Sequence, residues 1–365
     1  MIKIDPQYLK LALRLAAKGA GWVSPNPMVG AVVVKEGQVV GRGYHRRAGL
    51  PHAEVEALRS AGEAARGADL YVTLEPCNHQ GRTPPCTQAI LASGLRRVVI
   101  AARDPNPQVT GGGAEFLASR GVDVHEGLLA AEARRLNEAW FHYVNTGRPW
   151  VVAKAACSLD GKIATVGGES QWLTGEAARA LGRRLRHRVD AIIVGIGTVL
   201  ADDPQLTTRL PRGRGKDPIR VVLDSRLRLP LTARLLNLDS EAPTWVATTS
   251  QAPPETIRAL EARGAQVLML PGDAGRVSLP ALLEELGTRQ VQSLLVEGGA
   301  ETLGAFFDQK LVHQFNFFYA PKILGGQLAT GMVGGHGIIH LGEAHIARDL
   351  RVRRVGGDLL VSGYL

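Results

Sequence analysis

Three side chains that commonly bind metal ions lie near one another in the sequence. His52 is followed by Cys77 and then by Cys86. One imidazole and two thiolates meet the needs of a catalytic zinc ion, which takes three protein ligands and keeps one position open for water. The residue types and their order therefore predict a zinc site formed by His52, Cys77 and Cys86.

A carboxylate beside this set indicates the reaction that the zinc would support. Glu54 follows His52 by two residues. In hydrolytic deamination zinc lowers the pKa of a water molecule, and a carboxylate moves the proton to the ring nitrogen and the leaving ammonia. We expect Glu54 to be this proton shuttle. A lone histidine is more often a surface residue and a lone cysteine a buried apolar group, but the combination favours a metal site.

The spacing of the cysteines separates this chain from deaminases that act on nucleobases. Those enzymes combine H-x-E with P-C-x-x-C, whereas here eight residues separate Cys77 from Cys86. A nucleoside or tRNA base deaminase fused to an unrelated nucleotide-binding domain would have the shorter spacing and a basic, aromatic-lined channel. Neither feature is visible in the sequence. A nucleotide-binding module without catalysis is a second alternative, and the complete zinc set with Glu54 argues against it.

Alternating helix and strand patterns predict the elements that hold these residues. The pattern indicates a layered α/β domain of the βαβ type, and the turn-forming residues 145–149 mark its end. The predicted elements are an amphipathic helix over 7–18, strands over Val29–Val34 and Val39–Tyr44, a helix over Ala53–Ala61, a strand over Leu70–Leu74, a helix over Pro84–Ala92, a strand over Val98–Ala102 and a helical stretch over Ala131–Val144.

After the turn the pattern restarts, which predicts a second α/β domain. No Gly-x-Gly-x-x-Gly follows a strand there, so a Rossmann domain is not expected. Gly298-Gly299 before a helix over Thr302–Phe307 could instead offer backbone N–H groups to phosphates, although such a pair is often only a turn. The predicted elements are strands over Trp150–Ala156, Ala191–Gly195, Ile219–Asp224, Thr244–Ala247, Val267–Leu270 and Ser293–Glu297, and helices over Gly175–Arg188, 254–263 and 280–287.

Composition limits the classes of partner. The chain has 365 residues, enough for two domains, and a formal net charge of +9, which favours anionic partners. Its basic residues are scattered and aromatic residues make up 5%, so no nucleic-acid partner is expected. The sequence has neither a secretory signal nor a membrane-spanning apolar run, so we expect a cytoplasmic protein without a membrane partner. Three cysteines argue against a disulfide framework.

Longer motifs occur in both halves of the chain. In the first half they are Pro25-Asn-Pro-Met-Val-Gly30, Gly43-Tyr-His45, Gly49-Leu-Pro-His-Ala-Glu54, Thr73-Leu-Glu-Pro-Cys77, Gly81-Arg-Thr-Pro-Pro-Cys86 and Asp104-Pro-Asn-Pro107. In the second half they are Ser158-Leu-Asp-Gly-Lys162, Gly168-Glu-Ser-Gln-Trp172, Thr198-Val-Leu-Ala-Asp-Asp-Pro204 and Val296-Glu-Gly-Gly299. Together these motifs resemble one known family, the bifunctional deaminase/reductase of riboflavin biosynthesis. The eight-residue cysteine spacing is typical of this family.

This resemblance implies the fold and the two reactions. Residues 1–146 would form a cytidine-deaminase-like three-layer α/β/α domain, and residues 147–365 a dihydrofolate-reductase-like α/β domain. The first would deaminate 2,5-diamino-6-(5-phosphoribosylamino)pyrimidin-4(3H)-one to 5-amino-6-(5-phosphoribosylamino)uracil. The second would reduce the ribosyl side chain to ribityl. The implied cofactors are one Zn²⁺ per deaminase domain and NADPH, the partners are small phosphorylated pyrimidines, and a homo-oligomer is expected.

The resemblance also assigns residues to each site. Asn26, His45 and Arg82 would hold the ring and phosphate of the deaminase substrate, although a turn-stabilising role suits Asn26 and His45 as well. Lys154 and Asp160 are candidates for proton donation or positioning in the reductase. The residues implied to contact NADPH are Ala156, Trp172, Thr198, Asp202, Ser225, Gly299, Ala300, Glu301, Thr302, Leu303, Gly304 and Ala305. Those implied to contact the reductase substrate are Ser170, Arg186, Leu206, Arg209 and Glu297.

Overall fold

The chain forms two compact units in a computed structural model that describes residues 4–80, 84–106, 112–210, 213 and 215–365. The first unit ends at Gly147 and the second begins at Arg148. Among the described residues, no helix combines the length and apolar character needed to cross a bilayer.

The first unit is built on a five-stranded mixed sheet. Its order is β2-β1-β3-β4-β5, with β1 antiparallel to both β2 and β3, and with β3, β4 and β5 parallel. The strands are β1 (Gly30–Lys35), β2 (Gln38–Tyr44), β3 (Asp69–Leu74), β4 (Arg97–Ala102) and β5 (Asp123–Glu126).

Helices cover both faces of this sheet. Alternate residues of β1 divide between two cores: Ala31 and Val33 pack on the side of α2, α3 and α4, and Val32 and Val34 pack on the side of α1, α5 and α6. The helices are α1 (Pro6–Ala16), α2 (Ala53–Ala61), α3 (Cys86–Ala92), α4 (Gly113–Ser119), α5 (Ala130–Leu136) and α6 (Glu138–Thr146). The predicted three-layer α/β/α architecture is confirmed.

The close packing of α2 on the sheet depends on glycine in β2. A Cβ atom on Gly43 would lie 2.3 Å from the carbonyl oxygen of Ala53, the first residue of α2. Only a residue without a side chain lets the start of this helix approach the strand so closely. The start of α2 is the part of the helix that follows His52.

The second unit is built on a nine-stranded sheet of order β10-β9-β8-β7-β13-β6-β14-β16-β15. The strands from β10 to β14 in that order are parallel, and β16 and β15 add antiparallel pairs at one edge. The strands are β6 (Trp150–Cys157), β7 (Ala191–Gly195), β8 (Ile219–Leu223), β9 (Thr244–Thr248), β10 (Gln266–Met269), β13 (Ser293–Val296), β14 (Gln314–Tyr319), β15 (Arg348–Val355) and β16 (Asp358–Tyr364), with β11 (Gly272–Asp273) and β12 (Arg276–Val277) in a separate hairpin.

Apolar layers cover both faces of the larger sheet. Val151 and Ile193 belong to a core that includes α10 and α11, and Val152 and Ile192 belong to a core on the opposite face. The helices are α7 (Glu176–Arg188), α8 (Ile196–Asp202), α9 (Pro254–Glu261), α10 (Leu279–Thr288) and α11 (Ala300–Asp308). This unit is the expected second α/β domain.

Several elements differ from the sequence prediction. The helix predicted over Ala131–Val144 is wrong as a single element, because Asn137 leaves the helical conformation and separates α5 from α6. The helix predicted to begin at Pro84 begins at Cys86, with Pro85 at its N-cap. The prediction omitted eight elements: α4, β5, α8, β11, β12, β14, β15 and β16.

Candidate active sites

The predicted zinc ligands come from three different elements and meet in the first unit. His52 directly precedes α2, Cys77 follows the end of β3, and Cys86 is the first residue of α3. The Nδ1 atom of His52 lies 3.2 Å from the Cys86 sulfur and 3.5 Å from the Cys77 sulfur. The three potential ligand atoms all lie within 4.8 Å of one another.

The chemistry of these side chains fits a divalent cation. The neighbouring sulfurs compete for one proton: hydrogen bonding by Cys86 lowers the pKa of Cys77 to about 4, and the same bond raises the pKa of Cys86. The backbone N–H of Cys86 also donates to the Cys77 sulfur over 3.3 Å. A cation between the sulfurs would stabilise both thiolates and remove this competition, as zinc does with cysteine ligands.

Glu54 lies beside the metal-ligand group and is almost fully buried, with 3% of its surface exposed. Its Oε2 atom has no hydrogen-bond partner within the described part of the chain. Burial, together with the neighbouring Cys77, raises the pKa of this carboxyl group to about 7. A buried carboxylate oxygen without a partner is costly, so this position suits a group that receives a ligand or a water molecule.

His45 is buried in a setting that favours the neutral ring. Burial lowers the pKa of His45. Its Nδ1 lies 3.1 Å from the carbonyl oxygen of Pro51, which can only accept a hydrogen bond, so the proton is on Nδ1. Its Nε2 then accepts from the Nδ2 of Asn26 over 3.0 Å. This setting favours His45 as a neutral ring that orients Asn26 over His45 as a cation for the phosphate, and its place in the substrate site stays a prediction. Arg82 lies outside the described residues.

In the second unit a buried carboxylate links two predicted site residues. Glu297 accepts two hydrogen bonds from Arg186, of 3.0 and 2.8 Å, and lies 3.5 Å from the Nζ atom of Lys154. Burial alone would raise the pKa of Glu297, but attraction to Arg186 and Lys154 outweighs it and lowers the pKa to about 2. Arg186 also donates to the carbonyl oxygen of Thr207 over 3.1 Å. Its guanidinium is thus engaged within the protein.

Arg209 has a different environment from Arg186. Burial lowers the pKa of Arg209, and Arg186, Arg183 and Arg234 lower it further by repulsion. It forms no ion pair among the described residues. Because Arg186 and Arg183 already pair with Glu297 and Glu176, Arg209 is the guanidinium of this group that is best placed to bind an anion such as phosphate. The side chain of Leu206, by contrast, is buried in the core. Leu206 could therefore contact a substrate only through its backbone.

The start of α11 has the geometry expected of a phosphate site. The N–H of Gly299 donates to Thr198 over 3.0 Å, and no side chain caps the helix. A Cβ on Gly298 would lie 2.5 Å from the Cβ of Thr302, so this backbone is tightly packed. Helical periodicity turns the Leu303 side chain into the core and packs Gly304 against Gly334, so contact of the whole stretch from Gly299 to Ala305 with the cofactor stays a prediction.

Asp202 ties the segment that carries Ser170 to the end of α8. Its Oδ1 atom accepts from Ser170 over 3.0 Å and from Gln171 over 3.3 Å. The next residue, Trp172, is exposed, and the Arg179 guanidinium lies 4.8 Å from its ring centroid. Asp202, which the sequence analysis assigned to NADPH, therefore bonds directly to Ser170, which it assigned to the substrate.

The remaining predicted residues lie at strand ends and loops. Ala156 is half-buried near the end of β6, and the Ser225 hydroxyl accepts from the N–H of Val277 over 3.1 Å. Asp160 accepts from the Ser158 hydroxyl over 2.6 Å and from the backbone of Leu324 and Gly325. The Ser158 hydrogen bond and these two amides lower the pKa of Asp160 to about 2. It is ionised at neutral pH, so proton donation is not supported and positioning is.

Comparison with known proteins agrees with this two-site arrangement. Residues 2–102 match the cytidine and deoxycytidylate deaminase zinc-binding region, and residues 149–361 match the RibD C-terminal domain. The riboflavin biosynthesis protein RibD of Aquifex aeolicus is 46% identical over 359 residues, which cover 98% of each chain. This chain belongs to the RibD family. It is therefore a bifunctional deaminase and reductase of riboflavin biosynthesis.

Other RibD proteins support the same assignment. That of Escherichia coli strain K12 is 42% identical, with 97% of this chain and 98% of that protein covered. A RibD structure from Acinetobacter baumannii superposes with a TM-score of 0.88 at 38% identity and 98% coverage of both chains. A Thermotoga maritima structure, described as a diaminohydroxyphosphoribosylaminopyrimidine deaminase/5-amino-6-(5-phosphoribosylamino)uracil reductase, gives 0.86 at 37% identity, also with 98% of both chains covered.

RibD membership also resolves the alternatives drawn from the sequence. The second domain is a RibD C-terminal domain, so an unrelated nucleotide-binding partner is not supported. The deaminase domain is of the zinc-binding type, and RibD reductases are NADPH-dependent.

One residue of the RibD deaminase domain was missed by the sequence analysis. Glu75, two residues before Cys77, accepts backbone N–H groups from Asp104 over 3.1 Å and from Ala114 over 3.0 Å. A Cβ on Gly113 would lie 1.8 Å from the carbonyl oxygen of Pro76, so the segment before Cys77 is held tightly. The position of Glu75 inside the motif Thr73-Leu-Glu-Pro-Cys77 is the sequence signal that could have identified this residue.

Proposed function

We propose that residues 1–146 hydrolyse 2,5-diamino-6-(5-phosphoribosylamino)pyrimidin-4(3H)-one to 5-amino-6-(5-phosphoribosylamino)uracil and ammonia, and that residues 147–365 reduce the ribosyl side chain to ribityl with NADPH. The observation that carries the first reaction is the convergence of three zinc-binding atoms within 4.8 Å beside the unpaired carboxylate oxygen of Glu54. The second rests on the reductase domain and its cluster around Glu297.

In the deaminase domain His52, Cys77 and Cys86 would hold zinc. Bound zinc supplies a Lewis acid that activates water for attack on ring carbon 2. Glu54 takes one proton from that water and delivers it to the ring nitrogen; it then takes the second proton from the hydroxyl group formed on ring carbon 2 and delivers it to the amino group, which leaves as ammonia. Its raised pKa suits both taking and giving a proton near neutral pH.

Asn26 would bind the edge of the pyrimidine ring. His45 accepts from the Nδ2 of Asn26, which fixes the amide and leaves its Oδ1 as an acceptor for ring N–H or amino groups. A neutral His45 suits this role, because a charged ring would have no acceptor atom for Asn26. Arg82 remains a candidate for the substrate phosphate.

In the reductase domain the first turn of α11 and the Thr198 side chain would hold the phosphates of NADPH. Bound NADPH supplies a hydride for the sugar carbon of the ring-opened imine. Lys154, whose Nζ atom lies 3.5 Å from Glu297, is positioned to deliver a proton. Arg209 would bind the substrate phosphate, while Asp160 holds the loop of residues 158–162 against Leu324 and Gly325.

The test of this function separates the two reactions by removing the metal. Purified protein supplied with the diaminopyrimidine phosphate should release ammonia and then oxidise NADPH, measured by a coupled ammonia assay and by absorbance. Dialysis against a chelator should abolish ammonia release, whereas oxidation of NADPH with the deaminated product should continue at an unchanged rate, since no metal group is assigned to the reductase site. Deamination that survives complete removal of zinc would contradict the assignment.

We also propose that the protein is a cytoplasmic homo-oligomer. Two free thiols that bind zinc suit a reducing compartment. More than half of the exposed large apolar side chains in the described chain lie between 323 and 352, beside or on the edge strand β15. An exposed edge strand and a concentration of exposed apolar side chains are both typical of protein interfaces.

Substitution within this surface should dissociate the oligomer. Leu341 is 88% exposed, and Leu341→Arg would place a charge in the apolar surface. We expect a smaller mass by size-exclusion chromatography with light scattering. Leu231→Arg, at a less exposed apolar residue outside the surface, is the control and should leave the mass unchanged. A monomeric unaltered protein would rule out the homo-oligomer.

A further inference from the structure

The residue that breaks the predicted helix is a buried asparagine. Asn137 ends α5 and precedes α6, with φ −109° and ψ 24°, and only 3% of its surface is exposed. An asparagine at a helix N-cap usually accepts a hydrogen bond from the first turn of its own helix. Asn137 makes no such bond. Its side chain instead forms hydrogen bonds with a distant part of the chain.

The amide of Asn137 is bound to the backbone of Met28, 109 residues earlier in the chain. The Met28 N–H donates to Oδ1 over 2.8 Å, and Nδ2 donates to the Met28 carbonyl oxygen over 2.9 Å. One side chain thus satisfies both backbone groups of one residue, as a neighbouring strand would. Only the carboxamide side chains carry an acceptor and a donor side by side in this way.

Met28 belongs to the loop that carries Asn26. The other end of this loop is fixed by the N–H of His45, which donates to the Val29 carbonyl oxygen over 2.9 Å. The Gly30 N–H then donates to the Thr73 hydroxyl over 3.1 Å where β1 begins. The Asn137 amide therefore holds the loop at Met28, between Asn26 and this fixed end.

We propose that Asn137 is a positioning residue for deamination, because it holds the loop that presents Asn26 to the pyrimidine ring. This inference rests on the proposed function of the deaminase domain. Asn137 does not touch the substrate and acts only through Met28. Its removal should weaken substrate binding while zinc and Glu54 stay in place.

Two substitutions test this role in the full-length protein. Asn137→Ala removes both hydrogen bonds, and Asn137→Asp keeps an acceptor for the Met28 N–H but places a carboxylate against the Met28 carbonyl oxygen. We expect the KM of deamination to rise about tenfold with kcat lowered less than about threefold, since a binding contact is lost and the reacting groups are not. Zinc content and reductase kinetics should be unchanged. Hydrogen exchange should accelerate in the peptide spanning 25–30.

Asn145→Asp is the matched control, because Asn145 also lies on α6 but is exposed and bonds only to Phe141 in its own helix. It should behave as the unaltered protein.

An unchanged KM in a soluble Asn137 variant would overturn the inference. Loss of zinc or an equal fall in reductase activity would also overturn it, because either result would indicate a general role in folding. If Asn137→Ala is insoluble, Asn137→Asp decides. Absence of deamination in the unaltered protein would overturn the proposed function, and this inference with it.

Discussion

Glu54→Gln should lower the kcat of deamination by about 10³-fold, within the range that a general acid–base group contributes. Glutamine has nearly the same shape, but its amide cannot take a proton from water or return one to the leaving group. Because Glu54 is assigned no bond to the metal, the zinc content should remain one per chain. Reduction of the deaminated product should proceed at the normal rate, which would show that the second domain is intact.

Glu56→Gln is the matched control for this substitution. Glu56 lies in the same first turn of α2, but it is more exposed and pairs with Arg46 and Arg59 at the surface. Surface ion pairs contribute little, so its loss should change neither stability nor deamination measurably. Full deaminase activity in Glu54→Gln, measured by ammonia release under single-turnover conditions, would remove Glu54 from the reaction.

The second large effect is expected at Glu297. Glu297→Gln leaves Arg186 and Lys154 mostly buried without their carboxylate, and removal of one partner from such a cluster costs about 3 kcal/mol or more. The reductase domain should lose this stability at pH 7, and reduction should be lost because both neighbours are candidate site residues. Urea unfolding, followed by hydrogen exchange in the peptides of β6 and β13, measures the free energy of unfolding of this domain.

The pH dependence provides a sharper test of the same residue. The pKa of Glu297 is about 2 in the folded protein against an ordinary value of 4.5, so its contribution is complete above pH 4.5 and is lost as the pH falls toward 2. The stability gap between the unaltered protein and Glu297→Gln should therefore close over this interval. Glu284→Gln, at an exposed carboxylate paired with Arg148, should show no gap at any pH. A gap that is independent of pH would contradict an ionised Glu297.

The metal-ligand group was largely readable from the sequence. Zinc binds imidazole and thiolate groups, and this preference singles out His52, Cys77 and Cys86 in the sequence. Each of them lies in a motif near the end of a strand or the start of a helix. Helix α2 has the predicted bounds, since its periodicity is strong and glycine follows its last residue. Parallel strands such as β4, β7 and β13 were found because each is a short, nearly continuous apolar run.

Some of the missed elements lack such local signals. Strand β15 is exposed along almost its whole length and contains four arginines, so no apolar alternation marks it. Its pairing with β16 is what makes it a strand. The break between α5 and α6 is likewise set by a partner, because the Asn137 amide is drawn to Met28. Tertiary contacts override local propensity at such places.

The sequence by itself determined which chemistry the chain can perform, because metal ligands, a proton carrier and family motifs depend on residue type and spacing. Only the tertiary structure decided how individual groups are used. It made His45 neutral, engaged Arg186 with a carboxylate 111 residues away, and buried the Leu303 side chain. These outcomes depend on burial and on partners that are distant in sequence, and local patterns carry no information about either.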